Sequence, residues 1–205
     1  MYDCNNYNHL SEAKKLLEES SKMMLKGLQL AYGLEYENDN NFDGTPERIA
    51  RALLEKCSGI NSYDICKEIL SSTFDSEYDG YVIVSPIRVI SICPHHFENV
   101  IYKVYFGYMP NGKCVGLSKI PRVIKLFGKQ PMLQEDYVKK LADLFEDILK
   151  PKGLGILAIG EHNCMTCRGI NEKGVTAKTP IMRGEFANLP GMKEEFYHLC
   201  SQGEL

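Results

Sequence analysis

Two β-rich segments joined only by residues 93–98 constrain this chain most. Tyr81–Ile92 is dense in β-branched residues, and Asn99–Tyr108 places Val100, Tyr102, Val104, Phe106 and Tyr108 on one face. A connection this short suits antiparallel neighbours, because a parallel crossover needs a dozen or more residues. Cys93–Pro94–His95–His96 therefore belongs to the loop between two strands, at one end of a sheet. Pro86 marks an edge or a bulge, since proline donates nothing to a ladder. Asn111–Gly112 then reads as a tight turn, followed by a short strand over Cys114–Leu117.

Helices flank this β region. Apolar spacing at Ala13, Leu16, Leu17, Met24, Leu28 and Ala31 predicts a helix over 11–32, stopped at Gly33. Thr45 as N-cap and Pro46 at the first helical position open a second, with Ile49, Ala50, Leu53, Leu54 and Cys57 as its apolar face. A third, short helix follows over 64–70. These predict an N-terminal helical appendage over residues 1–75 and a second domain over 76–205. In the latter, helices over 118–127 and 132–149 precede a strand over 154–160. A fourth strand within 174–186 is interrupted by Pro180, and a last helix spans 192–200. The order strand–strand–helix–helix–strand–strand is that of an α+β fold.

With 205 residues, the chain fits one domain, or one domain plus a small appendage. A net charge of −3 argues against a dedicated nucleic-acid binder, though local basic clusters can still hold phosphates. The sequence has no apolar run of membrane-spanning length, and Met1–Tyr7 lacks an apolar signal core. Eight cysteines scattered without a secretory signal point to thiols kept reduced or metal-bound in the cytoplasm.

The chemistry concentrates in two stretches. The first is Cys93–Pro94–His95–His96, and the second is His162–Asn163–Cys164, at the end of the 154–160 strand. Thiolate and imidazole are the preferred ligands of zinc, and three protein ligands with one open position are the mark of a catalytic site. The same residues also suit buried thiols and an ordinary loop pair of histidines. Ser118, Lys119 and Arg122 open a helix, where free N–H groups and the dipole add to the Lys and Arg charge toward a phosphate, although each of these charges taken singly reads better as a solvated surface group. Arg168 follows Cys164. Gln134 and Glu135 begin the long helix, and on the residues alone Glu135 reads as a dipole-favoured cap.

In motif and order the chain resembles the GTP cyclohydrolase I family. The likeness runs through Thr45–Pro46–Glu47–Arg48–Ile49–Ala50, Cys93–Pro94–His95–His96, Gly107–Tyr108–Met109–Pro110 and Gly116–Leu117–Ser118–Lys119. It continues through Gln134–Glu135, His162–Asn163–Cys164–Met165, Arg168–Gly169 and Met182–Arg183–Gly184–Glu185–Phe186. The resemblance implies a tunnelling fold, with antiparallel hairpins and two helices on one face. It also implies a homodecamer of two pentamers with interfacial active sites. Cys93, His96 and Cys164 are implied as ligands of Zn²⁺, and His95 and His162 as the proton-transfer pair. Gln134 and Glu135 are implied to read the guanine edge, and Ser118, Lys119, Arg122 and Arg168 to hold the triphosphate. The implied reaction turns GTP and water into 7,8-dihydroneopterin triphosphate and formate.

Two positions depart from the family's usual pattern. Pro94 stands where the family commonly has Glu, which removes a carboxylate and stiffens the loop. Cys167 stands where an apolar residue is common, and a buried thiol is the expected role. Two other readings fit the same motifs. One is a non-catalytic, zinc-stabilised oligomer that binds nucleotide; the other is a related tunnelling-fold enzyme acting on another pterin or a deazapurine.

Overall fold

The computed structural model describes residues 5–202, with side chains from His9 onward. The first four positions of the polar N-terminus read above lie outside the described residues. The chain divides into two compact units, one ending at Cys57 and the other starting at Ser58.

The first unit is helical. Helix α1 (Asn5–Tyr32) packs against α2 (Thr45–Lys56), and two single 3₁₀ turns at Tyr36–Asn38 and Asn40–Phe42 join them. Gly33 adopts a φ of +72° and donates its N–H to Gln29 O, which closes α1 as expected. The apolar stripe on α1 falls differently from its sequence reading. Ser21 and Leu25 are the buried positions, whereas Leu16, Met24 and Leu28 are exposed. The start of α2 also differs. Gly44, at a φ of 67°, is the N-cap, so Thr45 is already helical. The Thr45 hydroxyl accepts instead from the Arg48 guanidinium at 2.8 Å.

The second unit begins with α3 (Tyr63–Ser71) and β1 (Thr73–Asp75), followed by β2 (Val82–Ile92), β3 (Asn99–Met109) and β4 (Lys113–Val115). Next come α4 (Lys119–Gly128), α5 (Gln134–Leu149), β5 (Gly153–His162), α6 (Asn163–Thr166), β6 (Ala177–Gly184), α7 (Glu185–Asn188) and α8 (Met192–Gln202). The fold is a mixed one of helices and antiparallel sheets. The large sheet has the order β2–β3–β5–β6, and β1 pairs with β4 in a small one. The sequence reading did not anticipate β1 and α7, whose three and four residues are too short for any period to show. Helix α3 packs on α4 and α5, and Tyr63 donates its hydroxyl to Asp147 at 2.6 Å. The break between units therefore falls one helix earlier in the chain than the predicted boundary after residue 75.

Pro86, read as marking an edge or a bulge, and Pro180, read as interrupting its strand, both lie on the outer strands of the large sheet. Pro86 sits in a register shift between Val84 and Ile87 on β2, and Pro180 lies on β6. Alternation sorts the sheet into two faces. Val100, Tyr102, Val104, Phe106 and Tyr108 of β3, with Leu154, Ile156 and Ala158 of β5, pack against α4 and α5. The rings of Phe106 and Phe145 lie 4.3 Å apart, and Tyr102 stacks on Tyr137 at 5.2 Å with planes 7° apart. The opposite face carries Tyr105 and Met109, covered by Phe186 of α7 and Phe196 of α8.

Register positions the site. Ser91 pairs with Val100, and Val100 pairs with His162. The end of β2, the start of β3 and the end of β5 therefore lie side by side.

Candidate active site

Cys93 leaves β2 and opens a tight loop. Its N–H donates to Glu98 O at 2.9 Å, and its carbonyl accepts from Phe97 N–H at 2.9 Å. Phe97 takes a φ of 55° to complete the return into β3. The loop projects His95 and His96 outward, and both are exposed. Their Nδ1 atoms lie 3.9 and 4.0 Å from Cys93 Sγ.

Cys164 arrives from β5 through the single turn of α6. Ligand atoms of Cys93, His96 and Cys164 all lie within 4.8 Å of one another. Tetrahedral Zn²⁺ holds sulfur and nitrogen donors about 3.3–3.8 Å apart, so small side-chain adjustments close this triangle on an ion. The donor set of two sulfurs and one imidazole suits zinc. Burial holds the Cys164 thiol above its ordinary pKa, with Cys93 beside it acting in the same direction. A cation between the two sulfurs reverses that preference, because a coordinated thiol gives up its proton.

His162 ends β5 beside this triangle. Burial lowers its pKa from the usual 6.5, with the Glu135 carboxylate pulling the other way. Its Nε2 lies 2.9 Å from Gln134 Oε1. The Tyr102 ring meets the imidazole edge-on at a centroid distance of 6.3 Å. The phenol of Tyr102 is fully buried and, among the described residues, finds no partner at good hydrogen-bond geometry. Its pKa rises well above the ordinary value through burial and the nearby Cys93 and Glu135, with Ser91 opposing.

Gln134 is 2% exposed and the first residue of α5. Its Nε2 donates toward Ala158 O, Ala177 O and Thr179 Oγ1 at 3.1, 3.0 and 3.0 Å. Glu135, next on the helix, is exposed and lines the cavity. Leu133, the N-cap of α5, makes no side-chain cap bond, and the capping role read for Glu135 is limited to its place in the first turn.

Cys93, His95, His96, Gln134, Glu135, His162 and Cys164 all line one cavity of about 230 Å³. Ser118, Lys119, Arg122 and Arg168 do not line it. Ser118 and Arg122 are exposed at the start of α4, and Arg168 is exposed beyond α6. The cavity is also below the roughly 300 Å³ at which small-molecule pockets begin. Cys167 is exposed rather than a buried thiol, because the chain turns outward after Thr166, whose side chain takes the buried position.

Sequence patterns align with known proteins at this point. The family profile described as GTP cyclohydrolase I matches residues 19–201. The chain belongs to the GTP cyclohydrolase I family. A GTP cyclohydrolase 1 of Clostridium perfringens is 35% identical over 92% of this chain and 98% of the relative. One of Campylobacter concisus is 33% identical over 90% and 96%, and one of Clostridium kluyveri 38% identical over 76% and 83%. Among solved structures, an archaeosine synthase QueF-like protein in its apo form covers 53% of this chain and 97% of its own at 15% identity. Its TM-score of 0.44 is too low to argue from.

Within this family member, several residues that hold Gln134 and His162 in place escaped the sequence reading. Tyr102 read only as a core residue of β3. Thr179 and Ala158 carried no signal at all. Gly160 did carry one, as a glycine two residues before His162 and hence on the same strand face.

Proposed function

We propose that this chain is a zinc-dependent GTP cyclohydrolase I that converts GTP and water into 7,8-dihydroneopterin triphosphate and formate. The observation that carries the reading is the Cys93–His96–Cys164 triangle with two further imidazoles, His95 and His162, around the same cavity. A purely structural zinc site has no use for free proton donors beside it.

Cys93, His96 and Cys164 would hold the ion, and it supplies Lewis acidity that makes a water nucleophilic near neutral pH. Glu135 accepts from the N–H edge of the guanine, which places C8 toward the triangle. His162 and His95 move the protons that ring opening, loss of formate and ribose rearrangement require. Depression of the His162 pKa by burial keeps that ring neutral at pH 7, ready to accept a proton. Ser118, Lys119, Arg122 and Arg168 bind the triphosphate.

That last role supports an assembled enzyme. The four phosphate-binding candidates lie outside the cavity that one chain forms, and the cavity is small for a nucleotide triphosphate. Copies joined through the outer strands β2 and β6 bring phosphate-binding residues of one chain to the cavity of the next and remove exposed sheet edges. The second unit, from Ser58 onward, is accordingly read as a tunnelling fold that follows a helical appendage ending at Cys57, in a decamer of two pentamers located in the cytoplasm. GTP-dependent formate release tests the activity. It should vanish in Cys164→Ala and on chelation of metal, and release that persists without metal would overturn the proposal.

A further inference from the structure

The hydrogen bonds around Gln134 determine which nitrogen of His162 carries hydrogen. Gln134 Nε2 faces the carbonyl oxygens of Ala158 and Ala177, and these can only accept. Turning the amide over would set Oε1 against two carbonyl oxygens inside a buried site. The network therefore fixes the amide, with Oε1 toward His162 Nε2 at 2.9 Å. An amide oxygen also only accepts, so Nε2 must donate. Gly160 leaves the space in which this happens, since a Cβ there would overlap Gln134 Oε1. Both amide hydrogens of Gln134 are already shared among Ala158, Ala177 and Thr179, leaving none to offer a purine.

We infer that Gln134 is a positioning residue that locks His162 as the Nε2–H tautomer, so that His162 exchanges protons with the substrate only through Nδ1. The inference rests on the reading of His162 as a proton-transfer group. It assigns Gln134 a task distinct from that of Glu135, although the two are adjacent. Glu135 is exposed at the cavity, while the Gln134 amide is held by the sheet and secures the base. Fixing the tautomer matters for rate, because a ring that presents N–H where a lone pair is needed contributes nothing until it rearranges.

The test reads nitrogen chemistry as well as turnover. Protein labelled with ¹⁵N-histidine, both zinc-free and zinc-loaded, is observed at mildly alkaline pH, and His162 is assigned by its loss in His162→Asn. The expected spectrum shows a protonated Nε2 and an unprotonated Nδ1. A protonated Nδ1, or a mixture of the two tautomers, would overturn the inference without reference to any variant of Gln134. In Gln134→Met, which keeps length and removes the acceptor, the tautomers should mix. Its kcat should fall about 10- to 100-fold, with KM for GTP within about threefold and zinc retained. A raised KM at unchanged kcat would instead place Gln134 on the substrate and overturn the assignment. Should the unmodified protein release no formate from GTP, the enzymatic reading falls, and the nitrogen spectrum still decides what Gln134 does to His162.

Discussion

Substituting Gly160 by alanine tests how tightly the site is built. A Cβ at this position would overlap Gln134 Oε1 and approach Tyr102 Cε1 to 2.8 Å, where real Cβ atoms essentially never come within 3.0 Å. Neither neighbour can retreat easily. The Gln134 amide is pinned through Nε2 by three acceptors, and the Tyr102 ring is stacked on Tyr137 at 5.2 Å. The strand itself is held on both sides, by Tyr102 of β3 and Ala177 of β6. Overpacking of a rigid core costs about 1–3 kcal/mol. For a domain of this size that corresponds to a fall in Tm of roughly 2–12 °C. Displacing Oε1 also weakens the restraint on His162, and misplacing a catalytic group by about 1 Å can cost on the order of 100-fold in rate. Thermal denaturation at matched zinc content, together with steady-state formate release, measures both effects. A Gly160→Ala protein with unchanged Tm and unchanged kcat would refute the packing argument and the role given to the Gln134–His162 contact.

Other expectations follow from the same geometry. Cys164→Ala removes one of three ligands, so zinc measured by elemental analysis should fall well below one ion per chain, together with activity. Glu135→Gln should raise KM for GTP about 10- to 100-fold, the worth of a charge-assisted hydrogen bond, while leaving bound zinc unchanged. Arg183→Met cuts the ties from β6 to Asp143 and Glu146 on α5, whose acidic partners are half-exposed. The loss should be about 1 kcal/mol, read as a Tm lower by roughly 2–4 °C at pH 7. Burial nudges the Asp143 pKa upward, but Arg183 and Lys139 outweigh it and hold the carboxyl below its ordinary 3.8. The Asp143 share of this tie is therefore fully present above that pH and is lost as pH falls through the lower folded value. Equal Tm penalties at neutral and strongly acid pH would contradict it. Phe145→Ala, which empties a ring packed 4.3 Å from Phe106, should cost about 3–5 kcal/mol, checked by denaturant titration of the assembled protein.

Sequence alone determined the local pieces of this protein. The β-branched run of β2, the alternation of β3 and the short link between them set an antiparallel pair with Cys93, His95 and His96 in its loop. Helical spacing and breakers marked α2 to α5 to within a few residues, because those signals act over single turns. Pro86 announced an edge or a bulge on β2, since a missing N–H tells there regardless of neighbours. The motif order was enough to suggest the family, and ligand types were enough to suggest zinc. Tertiary structure decided what depends on register and packing. Only the pairing of Ser91 with Val100 and of Val100 with His162 brings Cys93 and Cys164 within ligand range. Only the packing of α5 against β5 and β6 turns Gln134 inward onto His162 while Glu135 stays at the cavity. Adjacent residues on a helix point some 100° apart, and which one meets the sheet is settled by the helix's rotation against its neighbours. A lone glycine in a strand signals a close approach but not what approaches, and a threonine on another strand says nothing of that contact until the chain has folded around it.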